Sequence, residues 1–475
     1  MKRNPALFLF LLVCSFSLSA QNTSTLPSAE EGAVFTEINS ADNPCITSQQ
    51  YQLLDQRIAE NIKRLGMDKM PKSPNTVLLN WPLQAATNLT DCSFYAISAY
   101  VDQNTASGSY SDYNCGTHTY DGHQGTDIMT FPFGFYKMDN SQVEVIAAAA
   151  GTIIDKNDGA YDRNCVGAGS SLPANYVIIQ HADGSVALYW HMKNGAITTK
   201  AIGQTVTAGE YLGVVGSSGS SSGPHLHFEI WSGTTSATYK DPYYGTCNLL
   251  NAATWWTAQK PYTEPSVIKA SVHTTDIVLP SCNTETPNES TSYTIPFQGP
   301  GLSPGYAKFY VFFRNSTPGM TAVMSILNPG GTTFNTWSYT TPTAYNGSYG
   351  GWSKLLPTNA GTYTFQAVYN GITCAQTFQI ITATGMPQLS VPGSLQVFPN
   401  PVSDKINLYA TDIENGDCTV TLSNLLGQIL FSEHAMITDN KIDKTWSVSG
   451  FPDALYFLTI ETATTKSTLK VIKQN

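Results

Sequence analysis

Hydrophobic residues near the N-terminus recur at helical spacing. The stretch from Ser48 to Leu65 places them three or four positions apart, at Tyr51, Leu54, Ile58, Ile62 and Leu65. This period is typical of an amphipathic helix, and Pro71 and Pro74 would end it. We therefore predict a helix within residues 21–85, a segment interpreted as an N-terminal leader or prosegment.

Residues 86–262 instead show short hydrophobic runs separated by glycine and aspartate turns, the pattern of antiparallel strands. The predicted strands are Tyr176–His181, Val186–His191, Val206–Val215 and His225–Trp231. A Ser/Gly-rich stretch, Gly216–Gly223, precedes the last of them. It lacks the Gly-Lys-Ser/Thr ending of a phosphate-binding loop, and its plain interpretation is a flexible connector.

Two further β regions follow. Residues 265–385 have alternating or aromatic runs that predict an Ig-like β-sandwich, with strands at Ala307–Phe313, Ala322–Leu327 and Tyr363–Tyr369. Glycine and proline mark residues 382–393 as a linker, and residues 395–475 form another small β unit. The fold class is therefore predicted to be mainly β, with an antiparallel β domain followed by β-sandwich domains.

Composition and the N-terminus narrow the class of protein. The 475-residue chain has a formal net charge of −10 and no cluster of Lys and Arg, which argues against nucleic-acid binding. Residues 1–20 combine Lys2 and Arg3 with an apolar run, as in a secretory signal peptide. A lipoprotein signal at Cys14 is the alternative, although Val13 is bulky for one. No other stretch is long and apolar enough for a transmembrane segment in the mature chain.

Export makes disulfides expected among the eight cysteines that remain after signal cleavage. The absence of a Cys-x-x-Cys pair disfavours a cysteine-based zinc site. Sequence does not fix the connectivity. We expect Cys282 to pair with Cys374, and Cys115 to pair with either Cys165 or Cys247.

Candidate chemistry is concentrated in the first β region, where six of the eight histidines lie between residues 118 and 227. His123 and Asp127 are four positions apart, and the glycines around them disfavour a helix. In an extended strand, residues four apart share one face. Both side chains can therefore reach one metal ion.

The last strand of this region alternates strictly. His225, His227 and Glu229 point to one face of it, and the opposite face is apolar, formed by Leu226, Phe228 and Ile230. A lone His-x-His pair on a strand is usually a surface or packing feature. Together with the His/Asp pair, however, it favours a metal site.

Two metals remain open on this reasoning. Three protein ligands with one free position are typical of catalytic zinc, and a nearby unligated histidine can accept a proton from water near neutral pH. Two histidines and a carboxylate also describe non-heme iron(II) oxygenases. There, one residue usually separates the first histidine from the carboxylate, whereas three separate His123 from Asp127. The iron interpretation also leaves His191 and His225 without a role.

Three blocks of residues 90–262 resemble the signature blocks of lysostaphin-type (LytM-like) zinc endopeptidases. They are His123-Gln-Gly-Thr-Asp127, Tyr189-Trp-His191 and Ser222-Gly-Pro-His225-Leu-His227-Phe. The resemblance implies a compact antiparallel β domain over residues 86–262 with a narrow groove. It also implies cleavage of peptides near glycine, usually in peptidoglycan.

The same resemblance implies roles for individual residues. One Zn²⁺ per chain would be held by His123, Asp127 and His227. His225 would orient or deprotonate the attacking water, and His191 would stabilise the oxyanion or help to protonate the leaving amine. Members of the family can be held latent by an N-terminal segment; residues 21–85 are the candidate here, but no residue among them identifies itself. His118 and His181 are interpreted as structural.

The C-terminal residues 395–475 resemble the type IX secretion sorting domain of Bacteroidetes. The resemblance rests on Val397-Phe-Pro-Asn-Pro401, Asn424-Leu-Leu-Gly427-Gln and Leu455-Tyr-Phe-Leu-Thr459-Ile. It implies that type IX secretion machinery delivers the chain to the cell surface or medium. The alternative is a generic β-sandwich binding module.

The function predicted from sequence is thus a secreted zinc metalloendopeptidase acting on peptidoglycan or other Gly-rich peptides. The alternative is a non-catalytic peptidoglycan-binding or regulatory protein with a LytM-like fold.

Overall fold

The computed structural model describes most of the chain, namely residues 45–165, 172–278, 283, 285, 287–382, 395–411, 413–463 and 466–474. The predicted signal peptide, Cys282 and nearly all of the predicted linker lie outside the described residues. The chain divides into two compact units between residues 381 and 382. Within the described part, no helix has both the length and the apolar character needed to cross a membrane.

The helix predicted near the N-terminus is confirmed as α1 (Ser48–Arg64). It begins with a capping box, in which the Thr47 hydroxyl accepts from the Gln50 N–H and the Gln50 side chain accepts from the Thr47 N–H. A left-handed glycine, Gly66, lies just beyond its last turn. Three side chains form its buried face, Leu54, Ile58 and Ile62.

Two antiparallel sheets follow the helix. Their strands are β1 (Leu83–Ala85), β2 (Tyr95–Ala99), β3 (Thr126–Thr130), β4 (Val143–Ile146), β5 (Gly151–Asn157), β6 (Tyr176–Gln180), β7 (Val186–Trp190), β8 (Thr205–Val206), β9 (Tyr211–Val214), β10 (His225–Trp231) and β11 (Tyr239–Lys240). The larger sheet has the order β2-β3-β10-β7-β6-β5-β8, with β11 on β10, and the smaller has the order β1-β4-β9. A short helix, α2 (Gly134–Asp139), lies between β3 and β4. The strand predicted at Val206–Val215 is two strands, because a turn at Gly209 (φ +81°) interrupts it.

Strand β10 is buried on both faces. Leu226, Phe228 and Ile230 enter the main core of this region, as the alternation predicts. The opposite face is buried as well, because the N-terminal segment packs against it. Ile46 and the apolar face of α1 form a second core with Trp190 and Trp231. The helix is therefore part of the folded domain and covers the strand that carries the histidine pair.

The second β region of the same unit is a two-layer sandwich. Its strands are β12 (Ser266–His273), β13 (Ser292–Ile295), β14 (Tyr306–Ser316), β15 (Thr321–Leu327), β16 (Thr333–Thr340), β17 (Tyr345–Leu355), β18 (Gly361–Tyr369) and β19 (Ile372–Thr382). One layer has the order β12-β14-β17, and the other has the order β13-β19-β18-β15-β16. Alternation along β18 buries Tyr363, Phe365, Ala367 and Tyr369 between the layers.

The two β regions are joined by a disulfide between Cys92 and Cys374. The predicted Cys282–Cys374 pair is therefore wrong. The reason lies in the tertiary fold: the Ile268 carbonyl of β12 accepts from the backbone N–H of Cys92, and Cys374 Sγ lies 4.0 Å from the same carbonyl oxygen. One of the two predicted options for Cys115 is confirmed, since it pairs with Cys247.

Apolar and charged side chains complete the contact between the regions. Phe131 and Phe133 pack against residues of the sandwich that include Ile268 and Phe312. Beside them, the Asp91 carboxylate contacts two ammonium groups, those of Lys137 (2.5 Å) and Lys269. The sandwich is thus attached by covalent, apolar and ionic contacts.

The C-terminal unit is a second sandwich. Its strands are β20 (Gln396–Phe398), β21 (Lys405–Thr411), β22 (Gly416–Asn424), β23 (Ile429–Ile437), β24 (Lys441–Ser447), β25 (Ala454–Thr462) and β26 (Lys466–Lys473). The layers have the orders β20-β21-β24 and β23-β22-β25-β26. Cys418 is a free thiol buried in the core of this unit. The predicted fold class, mainly β with an antiparallel peptidase-like domain followed by sandwiches, is confirmed.

Candidate active site

The order of strands in the larger sheet brings the predicted site residues together. Strand β10 lies between β3 and β7 and runs antiparallel to both. His227 pairs across the sheet with Asp127 on one side and with Trp190 on the other. His191, the residue after Trp190, therefore reaches the same end of β10. It does so with φ of +67°, a backbone conformation that is uncommon for histidine.

A glycine allows the His123–Asp127 segment to approach β10 closely. A Cβ atom on Gly125 would lie 2.7 Å from Cε1 of His227 and 3.0 Å from the Phe228 carbonyl oxygen. Any side chain at position 125 would push the two segments apart. Glycine in the His-Gln-Gly-Thr-Asp block is thus required by the site geometry.

Three potential ligand atoms converge at this point. His123 Nε2 lies 3.2 Å from His227 Nδ1 and 3.2 Å from Asp127 Oδ1, and His227 Nδ1 lies 2.7 Å from Asp127 Oδ1. The three side chains are almost fully buried. Ligand atoms of a tetrahedral zinc site are roughly 3.3 Å apart, given bonds of about 2.0–2.1 Å to nitrogen and oxygen. The separations are close to those of a metal site.

The remote nitrogen of each ligand histidine is held by an acceptor. His123 Nδ1 donates to the Tyr100 carbonyl oxygen (2.6 Å), and His227 Nε2 donates to Glu229 Oε1 (2.7 Å). In the neutral rings, the lone pairs must therefore lie on the two nitrogens that face each other. Two lone pairs and a carboxylate oxygen repel unless a cation lies between them. This donor set fits a divalent metal ion supported by oriented ligands.

Electrostatics also favour a cation at this position. Burial alone would raise the pKa of Asp127, but the three neighbouring histidines outweigh burial and hold it well below its usual range. Burial lowers the pKa of His227, whereas the negative charges of Cys45 and Asp127 raise it well above its ordinary value. The carboxylate thus stays ionised, and positive charge beside it is stabilised.

Two further histidines turn one nitrogen each toward the ligand atoms. His191 Nδ1 donates to the Ser218 carbonyl oxygen (2.5 Å), and His225 Nδ1 donates to the Gly223 carbonyl oxygen (2.8 Å). Their ring centroids are 4.4 Å apart. Burial and the neighbouring His225 lower the pKa of His191. Burial also lowers the pKa of His225, but Asp127, Cys45 and the Gly223 carbonyl together outweigh burial and raise it. Both Nε2 atoms are left for proton transfer.

The Ser/Gly stretch Gly216–Gly223 is an ordered part of the site and not a plain connector. It supplies both carbonyl acceptors that fix the rings of His191 and His225. Ser217, Ser218 and Ser221 are buried, and the Ser218 hydroxyl donates to the Met192 carbonyl oxygen. Small side chains allow this tight path, which composition alone did not reveal.

Three residues near the ligand atoms received no role from the sequence. Glu229 was placed on the histidine face by alternation, and the structure shows that it orients His227. The Tyr120 hydroxyl donates to Asp127 Oδ2 (3.2 Å), and its ring stacks on His123. Cys45 lies beside the same groups. Tyr120 and Cys45 carried no sequence signal, because neither belongs to a strand pattern.

His118 and His181 do not join the site. Among the described residues, the groups able to hold a metal consist of Cys45, His123, Asp127 and His227, and of Cys45, His191 and His225. His181 Nδ1 instead donates to the Ala150 carbonyl oxygen at the far end of β6.

Comparison with known families identifies the domain that carries this arrangement. Residues 122–241 match Peptidase family M23. The matched range contains the five residues of the candidate site, His123, Asp127, His191, His225 and His227. Residues 122–241 are an M23 peptidase domain of the LytM type. At the other end of the chain, residues 396–474 match the secretion system C-terminal sorting domain, so the chain carries a type IX sorting module after its M23 domain.

Curated relatives resemble the M23 domain over short stretches. A DD-carboxypeptidase/endopeptidase Mpg of Neisseria meningitidis is 47% identical over 55 residues, which are 12% of this chain and 12% of that protein. The cell division protein DipM of Caulobacter vibrioides is 42% identical over 65 residues, 13% of this chain and 10% of DipM. The alignments thus cover only a small part of the relatives' own length.

Solved structures with a similar M23 domain include two catalytic domains. The catalytic domain of lysostaphin from Staphylococcus simulans is 23% identical and covers 31% of this chain and 85% of its own (TM-score 0.20). The catalytic domain of the prophage-encoded M23 protein EnpA from Enterococcus faecalis is 28% identical and covers 33% and 94% (TM-score 0.19).

Proposed function

We propose that this chain is a secreted zinc-dependent endopeptidase that cleaves peptidoglycan peptides or other glycine-containing peptides. The observation that carries the proposal is the convergence of three lone-pair-bearing ligand atoms beside two histidine Nε2 atoms. A peptidase-family domain and a secretion sorting domain in one chain support it. Their combination supports peptide hydrolysis outside the cell.

We assign the metal to His123 Nε2, Asp127 Oδ1 and His227 Nδ1, with one Zn²⁺ per chain. Zinc held there would supply Lewis acidity that polarises a water molecule and the scissile carbonyl group. Tyr100 and Glu229 keep the ligand nitrogens deprotonated toward the ion, and Tyr120 keeps the carboxylate oriented.

We assign proton transfer from the attacking water to His225 and contact with the oxyanion or the leaving amine to His191. With Nδ1 fixed on a backbone carbonyl, each Nε2 accepts a proton in the neutral ring and donates one in the charged ring. The pKa shifts alone would favour His191 as the proton acceptor and His225 as the proton donor, because Asp127 helps to raise the pKa of His225. A cation bound to Asp127 offsets that carboxylate charge, and His225 is then the better acceptor.

A curated relative and the sorting domain support the proposed substrate class. The Neisseria relative is named a DD-carboxypeptidase/endopeptidase. The chain's sorting domain supports an extracellular location, where wall peptides and Gly-rich proteins are accessible. We therefore propose wall peptides as the first substrate class and Gly-rich proteins as the second.

The experiment is mass spectrometry of fragments released by the full chain from purified peptidoglycan and from elastin, with zinc measured in the same samples. The chain is tested before and after limited trypsin digestion, because exposed Lys69 and Lys72 follow α1. We expect one zinc per chain and new peptide ends, and neither in His227→Ala. A chain that binds peptidoglycan, holds no zinc and releases nothing would support the non-catalytic alternative.

A further inference from the structure

Cys45 brings a sulfur atom to the M23 site from the N-terminal segment. Its Sγ lies 3.8 Å from Asp127 Oδ2 and 3.8 Å from His225 Nε2, and the side chain is buried. Together with one ligand atom each of His123, Asp127 and His227, Sγ forms a set of four atoms that all lie within 4.8 Å of one another. A thiolate is a preferred zinc ligand.

The two histidines outside the ligand set face the same sulfur. Cys45, His191 and His225 form a second group of atoms within 4.8 Å of one another. His191 is fully buried, and its Nε2 has no hydrogen-bond partner in the described part of the chain. The sulfur therefore lies where the proposed mechanism needs a water molecule and a substrate carbonyl.

The segment that carries Cys45 is held firmly on the domain. The Tyr51 hydroxyl donates to Glu229 Oε1 (2.6 Å), and Arg57 donates to the fully buried Asp155 (2.8 Å). Asp55 accepts from the backbone N–H of Ser236 (2.8 Å). With the apolar face of α1 in the second core, these contacts fix a helix that begins three positions after Cys45.

We propose that the Cys45 thiolate is a fourth protein ligand of the metal and that α1 holds it there as an inhibitory segment. The proposal rests on the metal site assigned under the proposed function. Catalytic zinc sites keep one position open, whereas sites closed by four protein ligands are structural. A chain with Cys45 bound to the metal is therefore latent, and it becomes active when the segment moves away.

The test replaces zinc by Co²⁺ in the full chain, because a thiolate bound to Co²⁺ gives an intense charge-transfer band in the near ultraviolet. The wild type is compared with Cys45→Ser and with Cys418→Ser. Cys418 is the matched control, since it is the other buried free thiol among the described residues and belongs to the C-terminal unit. We expect the band in the wild type and in Cys418→Ser, and its loss in Cys45→Ser with cobalt still bound.

The outcomes separate this inference from the function on which it rests. Stoichiometric cobalt without a thiolate band in both wild type and Cys418→Ser would overturn the Cys45 ligand and leave the metal site intact. No cobalt in any form would overturn the metal site itself. The wild type and Cys418→Ser decide the point even if Cys45→Ser does not fold.

Peptide hydrolysis gives a second readout. A tethered ligand acts at an effective concentration in the millimolar range, so its removal should raise the rate of hydrolysis by about tenfold or more. The comparison uses zinc-loaded wild type, Cys45→Ser and Cys418→Ser at equal metal content. Equal rates in all three would overturn the latency, because the thiolate would then not compete with substrate.

Discussion

Two β regions of one unit bury histidines in different ways. In the sandwich, His273 has both ring nitrogens in hydrogen bonds, Nδ1 to the Asn288 carbonyl oxygen (3.0 Å) and Nε2 to the Ser271 hydroxyl (2.8 Å). In the M23 domain, His191 and His225 each have Nδ1 on a backbone carbonyl, and their Nε2 atoms face the sulfur of Cys45 beside the ligand atoms. His273 is bonded at both nitrogens to groups of its own region and stabilises the fold, whereas the M23 histidines each bring one nitrogen into a shared cluster and form a site.

The two regions differ in how many metal-binding side chains lie close together, and not only in whether a histidine nitrogen lacks a hydrogen bond. His181 Nε2 also lacks a hydrogen-bond partner within the described residues, yet it belongs to no metal-binding group there. Around Asp127, in contrast, three histidines and a cysteine share one small volume. Buried polar groups at such density are costly unless they bind something.

Removal of one histidine from each region gives the largest contrast. In a Cys45→Ser background, we expect His225→Ala to lower kcat by about 10²- to 10⁴-fold, the range for loss of a general base. Bound zinc should remain, because His225 is not an assigned ligand. His273→Ala in the same background should leave kcat unchanged and lower the unfolding temperature. If His225→Ala retained full activity, the assignment of proton transfer would be wrong.

The ion-paired side chains between the two β regions should contribute to stability and not to catalysis. Asp91→Ala would leave the ammonium groups of Lys137 and Lys269 buried without their shared carboxylate. We expect a loss of about 3–5 kcal/mol in the free energy of unfolding, as for other broken buried pairs. Urea denaturation of the full chain measures it. Glu210→Ala, which breaks a partly exposed pair with Lys200, is the control and should have a much smaller effect.

Much of the fold and of the site was predictable from local patterns. The helical period gave α1 to within one residue, and strict alternation gave β10 with its apolar face in the core. Alternation also placed His225 and His227 on one side of the strand. These features are set by residues close in sequence, so a local pattern contains the information.

Features that depend on tertiary approach were not predictable. Cys45 reaches His225 across 180 positions, and Cys92 reaches Cys374 across 282. No period or motif connects such pairs. The role of the Ser/Gly stretch was not predictable for a different reason. It contributes backbone carbonyl groups, and these are the same for every residue type.

The orientation of the ligand His227 offers a finer test of the site. Glu229→Gln removes the charged acceptor of its Nε2–H, and we expect metal affinity to fall by about 10- to 100-fold, as for other groups that orient metal ligands. Competition with a zinc chelator measures this affinity. Glu144→Gln on β4 is the matched control and should leave the affinity unchanged. Equal affinity in both variants would show that Glu229 serves only to anchor Tyr51 and Trp231.

Asp241 is a buried carboxyl group outside the histidine cluster. It tests whether burial without neighbouring histidines raises the pKa of a carboxyl group. Burial raises the pKa of Asp241 to about 8, whereas the histidines lower that of Asp127. Because the folded state holds the Asp241 proton more tightly than the unfolded state does, its contribution to stability is complete below pH 3.8 and is lost as pH rises toward about 8. Asp241→Asn should therefore remove a decline in the free energy of unfolding of about 1.4 kcal/mol per pH unit within this window.

Asp183→Asn is the control, since its lowered pKa affects stability only at lower pH. The same slope in wild type and Asp241→Asn would mean that this carboxyl group is ionised in the folded chain, and burial alone would then not separate it from Asp127.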